Sequence, residues 1–525
     1  MSDETTSSTY DKVPYYTDPF PQTHPAVLSS IAILLGVDAP PVDQCRVLEI
    51  GCAGGGNIIP MAQELPGSHF VGIDLSARQI KEADDAIAIL GLKNIEFHKM
   101  DLMDVTPEFG QFDYIIAHGI FSWVPQPVAD KILDICAHNL TPRGVAYISY
   151  NTNPGWHLRG MIRDMMVYHT RQFARPEVKV RQARALLNFL AEAVPGENNP
   201  YGMHLQNELN FLRRMRDTYL LHEHLETENN PLYFHQFHER AAAHDLQYLG
   251  EAQFGLMAIS AAQEIKPEVW STLMQVCNTT VEREQYLDFL RNRQFRQTLL
   301  VHKDVMIDRS LNPDYMDRLW VTSMAAPRAP MDLTSGEPEP VQLPSGVSMP
   351  IRLPLIKAAI THLARIWPAA ISFPDLRKTA RSMLPAVEGQ DDDALIKSDT
   401  VILGNGLRSL YAMNFVDFSS IAPSTSPELT DHPAATPLVR YQAQRGTQVT
   451  NRRHRSVSLN EFDRRVLEQL DGSRTKEDLH KFVADLVKNG TLTVTKAGPG
   501  GVDDAIDQSI GASLKRFKQS NLLVS

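Results

Sequence analysis

The stretch RVLEIGCAGGGNIIPMAQELPGSHFVGID, residues 46–74, decides how this chain is read. Its apolar start, Val47, Leu48 and Ile50, suits a buried parallel strand. Glycines 51, 54, 55 and 56 follow, letting the backbone turn sharply and come close to a ligand. A helical run and a second strand complete a strand–turn–helix–strand unit, the opening of a doubly wound sheet. Glu49 stands where the first strand ends, and Asp74 closes the next. A dinucleotide fingerprint would seat a pyrophosphate on the helix N-terminus, where a carboxylate just ahead of the glycines repels it.

Working outward, a third strand over 95–99 is followed by Asp101. Three acids at three successive strand ends suit a ligand with ribose hydroxyls, an ammonium and no phosphate. S-adenosylmethionine is that ligand, and the residues resemble the Rossmann-type methyltransferase pattern. A dinucleotide enzyme and a non-catalytic relic stay open as alternatives. The expected cofactor contacts are Glu49, Gly51, Cys52, Gly55, Asn57, Asp74, Leu75, Asp101 and Leu102. Ahead of them, YDKVPYYTDPFPQTHP (10–25) is dense in aromatics and prolines. It is too small for a core of its own, so it is expected to lie over the glycine loop, with Tyr15, Tyr16 or Phe20 closing the methionine side. Tyr16 is taken as the contact.

Composition bounds the rest. A chain of 525 residues with 43% hydrophobic and 22% charged residues is an ordinary globular one, too long for a single core. A net charge of −11 argues against a surface that binds nucleic acid throughout. The four cysteines, 45, 52, 136 and 277, form no CxxC pair and no metal-ligand spacing, so reduced thiols and a cytoplasmic location are expected, with no metal. Neither a signal-peptide pattern nor a membrane-spanning apolar run is present.

Past Asp74, Ser76 opens a helix that Gly91 ends. A fourth strand, 112–117, leads to His118, placed at the reaction centre because ligands sit at the carboxyl ends of such strands. A fifth strand, 145–150, is followed by NTNPGW (151–156), where an amide and aromatic cluster suits a methyl-accepting amine. Tyr150 and His118 are the candidates for orienting that amine, and Trp123, Asn151 and Trp156 for binding it. Residues 158–215 form a helical insertion. LLHEHLE (220–226) has the wrong histidine offset for a zinc protease and is expected to form a loop over the site, where Glu223 or Glu226 holds a cationic substrate side chain. Strands over 246–252 and 295–302 close the sheet, so the catalytic domain runs over 1–305.

Proline and glycine then mark 306–350 as a linker or arm. Beyond it lies a weak repeat at one offset, 107 residues, pairing Leu407 with Leu514, Leu410 with Phe517 and Asn414 with Asn521. It predicts two α+β winged-helix-like domains, 351–435 and 436–525, and neither final helix has a dense basic face. The basic segment RYQAQRGTQVTNRRHR (440–455) is taken as a solvated linker. These units are expected to grip a protein acceptor, and removing residues 345–525 to leave cofactor affinity intact.

YDKVPYY, PFPQTHP, LEIGCAGGGN, HGIFSWVP, SYNTNPGW, HEHLETENNPLYFHQF and FLRNRQFRQTLLVH together resemble the bacterial methyltransferases bearing a methyltransferase regulatory domain, whose best-known members are rickettsial protein-lysine methyltransferases. The resemblance implies a Rossmann catalytic domain with appended helical and winged-helix-like domains, dimer formation, and methyl transfer to lysine. It carries over Glu49, Gly51, Asp74 and Asp101 as cofactor contacts, and Trp123, Tyr150 and Trp156 to the substrate side. One departure is Ala53, where the family loop has glycine. Alanine fits there only with negative φ, which implies a shifted loop or weaker cofactor binding. A small-molecule N- or O-methyltransferase and a non-catalytic S-adenosylmethionine sensor are the competing readings.

Overall fold

The computed structural model describes residues 18–257, 259, 265–386, 391–426, 428–493 and 501–524. Tyr15 and Tyr16 lie outside them. In chain order come α1 (Pro25–Leu34), β1 (Arg46–Ile50), α2 (Ile58–Glu64), β2 (His69–Asp74), α3 (Ala77–Leu90), β3 (Ile95–Lys99), β4 (Phe112–Ala117), α4 (Gln126–Asn139) and β5 (Leu140–Asn151). Four helices follow, α5 (Gly155–Thr170), α6 (Pro176–Ala193), α7 (Pro200–Leu212) and α8 (Asp217–His224). The sheet resumes with α9 (Phe234–Ala243), β6 (Leu246–Glu251), α10 (Pro267–Val276), α11 (Thr280–Arg291) and β7 (Phe295–His302).

The strand order is β3-β2-β1-β4-β5-β7-β6. The first five strands are parallel, and β7 runs antiparallel between β5 and β6. Alternation along each strand divides the side chains between two layers. Val47, Tyr114, Val145 and Tyr147 pack with α1 on one face. Leu48, Ile115, Ile148 and Tyr150 pack against α4 and α9 on the other. The ends of α3 match their sequence signals: Ser76 Oγ accepts from Gln79 N at 3.2 Å, and Gly91 exits with φ 69°.

The segment read as an arm carries paired strands. β8 (Trp320–Thr322), β9 (Ala326–Pro327), β10 (Glu339–Gln342) and β11 (Ser348–Ile351) precede α12 (Pro354–Ile366), β12 (Ile371–Ser372), α13 (Phe373–Ser382), α14 (Asp392–Ala412) and β13 (Asp417–Ser419). β8 lies between β12 and β13 in one small sheet. The last region comprises α15 (Pro437–Ala443), β14 (Gln448–Thr450), β15 (Ser456–Ser458), α16 (Glu461–Glu468), α17 (Lys476–Lys488) and α18 (Gly501–Gln519). The repeat has a structural meaning. Asn414 and Asn521 take φ of 61° and 60° just past α14 and α18. At each exit a backbone N–H reaches back five residues, Phe415 to Leu410 and Leu522 to Phe517, the Schellman closure of a helix end. No described helix is long and apolar enough to cross a membrane.

The far edge of the large sheet is tied by charge. Arg296 on β7 is fully buried and bonds Glu251 of β6 at 2.6 Å, Asp288 at 2.8 Å and Glu284 at 3.1 Å. Its guanidinium also lies 3.9 Å from the Phe234 ring centroid. Burial alone would raise the Glu251 carboxyl, but Arg293 and Arg296 outweigh it and hold it below the ordinary carboxylate value. Removing one partner of such a network leaves buried charge uncompensated. Arg296→Ala should therefore cost about 3–5 kcal/mol of stability in urea unfolding, whereas a cost below ~1 kcal/mol would show the network to be dispensable.

Candidate active site

The turn after β1 owes its shape to two backbone donors and one absent side chain. Gly51 N and Cys52 N both donate to Ile73 O, at 2.8 and 3.1 Å. Gly51 has φ 69°, and a Cβ there would lie 2.3 Å from Ile120 Cδ1, so any other residue would be strained and would have to displace Ile120. Ala53 corrects an expectation, because its φ is +47° rather than negative. The left-handed conformation, which costs about 1–2 kcal/mol for a residue with Cβ, brings its N–H to Asp74 Oδ2 at 2.9 Å.

Asp74 also accepts from Ser76 N through Oδ1 at 2.9 Å, which aims the carboxylate back across the glycine turn. Asp101 at the end of β3 caps Met103 N at 2.9 Å. Leu75 is exposed and Leu102 half-buried, an apolar pair beside the acids. Glu49 is only 4% exposed. Its Oε1 accepts from Asn57 Nδ2 at 2.7 Å, while Oε2 has no hydrogen-bond partner. Burial foremost, helped by the Asp74 charge, pushes this carboxyl up to about 8 against the Asn57 bond. A buried, half-satisfied carboxylate invites an ammonium. The residues fit the amino acid end of S-adenosylmethionine on that observation.

His118 Nδ1 lies 2.8 Å from Tyr147 OH, and the Phe20 ring stands 3.8 Å from the imidazole centroid. Burial holds the imidazole down to about 4, so it is neutral at physiological pH. The N-terminal segment does cover this end of the sheet, through Phe20, whose N–H donates to Asn57 Oδ1 at 2.9 Å. The structure does not bring Tyr150 to His118. Its ring stacks on Phe237 at 4.1 Å on the opposite face of the sheet, and its hydroxyl lies 3.2 Å from Thr298 Oγ1. Side chains alternate along a strand, so the phenol beside the histidine is Tyr147, three residues earlier. An even-and-odd count from His118 and its neighbours would have been the signal for it.

The side that the sequence assigns to a methyl acceptor is assembled from three segments. Asn151 N donates to Ser122 Oγ at 2.9 Å, and Asn151 Nδ2 to Asn229 Oδ1 at 3.1 Å. Trp123 meets Trp156 edge to face at 6.1 Å. Asn153 Oδ1 and Trp156 Nε1, both within the cluster 151–156 that the sequence marked for the acceptor, are buried without partners. Residues 217–224 form a helix, α8, where a loop was expected. Within it Glu223 is half-buried, and burial pushes its carboxyl up to about 7 against the pull of Arg159 and His222. Glu226 is engaged by His222 Nδ1 at 3.2 Å, and the peptide oxygens of 226 and 227 by Arg163, so it is not poised for a substrate cation. The basic segment 440–455 is no solvated linker: it forms α15 and the β14–β15 hairpin, and His454 Nε2 lies 2.8 Å from Asn57 Oδ1. The C-terminal region thus touches the turn that follows β1.

Fold and site together define an S-adenosylmethionine-dependent methyltransferase of the Rossmann type. Residues 47–144 match the methyltransferase domain model, 216–302 the predicted methyltransferase regulatory domain, and 431–522 the PKMT C-terminal winged helix domain. Uncharacterized protein RP789 of Rickettsia prowazekii (strain Madrid E) is 37% identical over 498 residues, 93% of this chain and 88% of that protein. PKMT2 from Rickettsia typhi is similar throughout, with TM-score 0.86 at 30% identity over 98% of this chain and 100% of that one. Its complex with AdoHcy gives TM-score 0.85. The chain belongs to this family of methyltransferases with a regulatory domain and a PKMT-type winged helix, and S-adenosylmethionine is its cofactor.

Glu49 makes the ligand-free protein pH-sensitive. Unfolded, the carboxyl titrates near ~4.3; folded, near about 8. Between those values the folded state keeps a proton that the unfolded state releases, so stability falls as pH rises and levels off above about 8. Glu49→Gln should flatten that slope and raise ligand-free stability at alkaline pH by up to roughly 5 kcal/mol, the linkage value of the whole shift. Urea midpoints with an unchanged slope would show that Glu49 is not the titrating group.

Proposed function

We propose that the chain methylates lysine side chains of a protein substrate. The observation that carries this reading is Glu223, a carboxyl tuned by burial to about 7. A lysine ammonium, with an ordinary pKa near ~10.4, must lose a proton before it can attack a methyl group. A carboxyl in that range accepts a proton at physiological pH far better than an ordinary one. Its neighbour Arg159 lies 5.6 Å from the Trp156 ring, and Trp156 meets Trp123, so aromatic surface suited to packing a lysine stem lies beside that arginine. The free Asn153 Oδ1 supplies an acceptor for an amine N–H.

In this reading Asp74 takes the ribose hydroxyls, Leu75 and Asp101 the adenine, and Glu49 Oε2 the amino group. The cofactor supplies a methyl group already activated on a sulfonium, so the protein's work is alignment and deprotonation. Neutral His118, held by Tyr147 and covered by Phe20, keeps water from the methyl donor and offers hydrogen bonds without a competing charge. The PKMT name of the Rickettsia typhi relative, denoting a protein-lysine methyltransferase, supports a protein acceptor. The winged-helix module at 431–522 gives such an acceptor more surface than a small-molecule pocket has. The dimer implied by the family resemblance belongs to the same proposal.

Incubation with labelled S-adenosylmethionine and native extract should place label on protein lysines, and label found only among small molecules would reject the reading. Glu223→Gln should lower the methylation rate about 10- to 100-fold at pH 7 without changing cofactor affinity. It should also abolish the acid limb of the pH–rate profile near 7. An intact limb in the variant would remove Glu223 from the mechanism.

A further inference from the structure

The turn between β14 and β15, residues 451–455, is read by its composition (NRRHR) as a charged surface, yet each of its long side chains is engaged. Arg452 Nε lies 3.2 Å from Glu64 Oε2, Arg453 stands over Trp367 at 4.9 Å, and Arg455 Nη2 bonds Asp417 Oδ2 at 2.7 Å. His454 is 4% exposed, in a left-handed conformation with φ 56°, and reaches Asn57. With Leu438 N donating to Gln63 Oε1 at 3.0 Å, both ends of α2 are held by the C-terminal winged helix. That helix is the one that follows the glycine turn.

The hydrogen bonding at Asn57 has one consistent assignment. Nδ2 donates to Glu49 Oε1 and to Thr23 Oγ1, so Oδ1 is the acceptor side. It receives Phe20 N–H at 2.9 Å and, at 2.8 Å, the ring N–H of His454 at Nε2. His454 is then the Nε2–H tautomer, and its Nδ1, buried and without a partner, stays unprotonated. Loss of the His454 donor would leave the amide oxygen with Phe20 N–H and the longer 3.3 Å contact from Thr23, loosening the amide that faces Glu49.

We propose that this turn is part of the cofactor site: His454, acting through Asn57, is a positioning residue that orients Glu49 toward the amino group of S-adenosylmethionine. Docking of the winged helix and cofactor binding are thereby coupled, each strengthening the other. The proposal rests on the reading of Glu49 as the contact to that amino group.

The test compares S-adenosylhomocysteine with its deaminated analogue, in which hydrogen replaces the α-amino group, by calorimetry on the full chain. His454→Phe keeps the ring bulk and removes the donor. It should weaken S-adenosylhomocysteine about tenfold, the size of one charge-assisted hydrogen bond, and leave the deaminated analogue unaffected. His454→Gln, which keeps an N–H donor, should recover most of the preference. Equal losses for both ligands, or an unchanged preference, would overturn the relay. Glu49→Gln is the separate arm: it should abolish the preference by itself. A preference retained there overturns the reading of Glu49 and the relay with it, whereas its loss there alongside normal His454→Phe behaviour overturns the relay alone. A second measurement needs no variant. In the wild-type chain S-adenosylhomocysteine should slow amide exchange across 448–458 more than the deaminated analogue does, and equal exchange would overturn the coupling.

Discussion

A carboxylate shut away from water with one oxygen satisfied and the other bare is the constraint on which the active end of this sheet depends. Glu49 cannot be exposed, because the turn that follows β1 is closed over it by the Gly51 and Cys52 bonds to Ile73. It cannot easily be charged either, since burial and Asp74 both oppose ionisation. Its single protein partner, the Asn57 amide, also receives the N-terminal segment through Phe20 and the C-terminal region through His454. Three parts of the chain distant in sequence therefore converge on one side-chain amide. In a medium of low dielectric, an ammonium arriving at the bare oxygen would gain much more than the same pair in water. The strained Ala53 belongs to the same economy of shape: its unfavourable φ is held by an N–H bond to Asp74.

The opposite edge of the sheet is held in another manner. Arg296 and its carboxylates lock β7 between β5 and β6, and the lock extends to Tyr150 through Thr298. A strand that might have carried a catalytic phenol at its end is instead pinned from beneath. What faces the reaction side is the alternate set, Tyr147, Ser149 and Asn151, of which Ser149 Oγ takes Gly119 N–H at 2.8 Å. The loop that carries His118 is thus registered to β5 by backbone and side-chain bonds together.

Much of this was legible beforehand because it is local. β3, β4 and β7 occupy the residues that their apolar runs predict, and the helix from Ser76 to Gly91 begins and ends on its caps. Even the 107-residue repeat, three matched pairs, corresponds to a shared helix exit. The failures arise where the deciding partner is remote. Tyr150 was favoured by its place at a strand end, but parity and a bond to Thr298 put it on the far face. The basic run 440–455 looked solvated since its partners, Glu64 and Asn57, lie nearly four hundred residues away, and no window of sequence holds both. Proline made 306–350 look like an arm, yet Pro340 and Pro350 sit opposite each other in the β10–β11 pair. The candidate cofactor acids were recognisable from strand-end position alone, while the substrate side, gathered from three segments, was only partly so.

The division of the hydrophobic cores has a consequence for how the molecule comes apart. One continuous core runs from α1 and the sheet through Met316 and Val321 into α12, α13 and α14, so the sheet and the middle helices share their stability. The last region has a core of its own, built from Val439, Leu467, Leu479, Leu514 and Phe517. Between these two bodies the links named above are polar, and one apolar link joins them, Leu438 of α15, which is buried in the larger core with Tyr441 packed beside it. Cooperativity follows shared apolar contact, and by that rule the larger body melts as one unit, whereas the smaller can detach while still folded. A detached winged helix takes His454 with it. On the proposed relay through Asn57, that separation would reach the methyl-donor site with every strand of the sheet still in place.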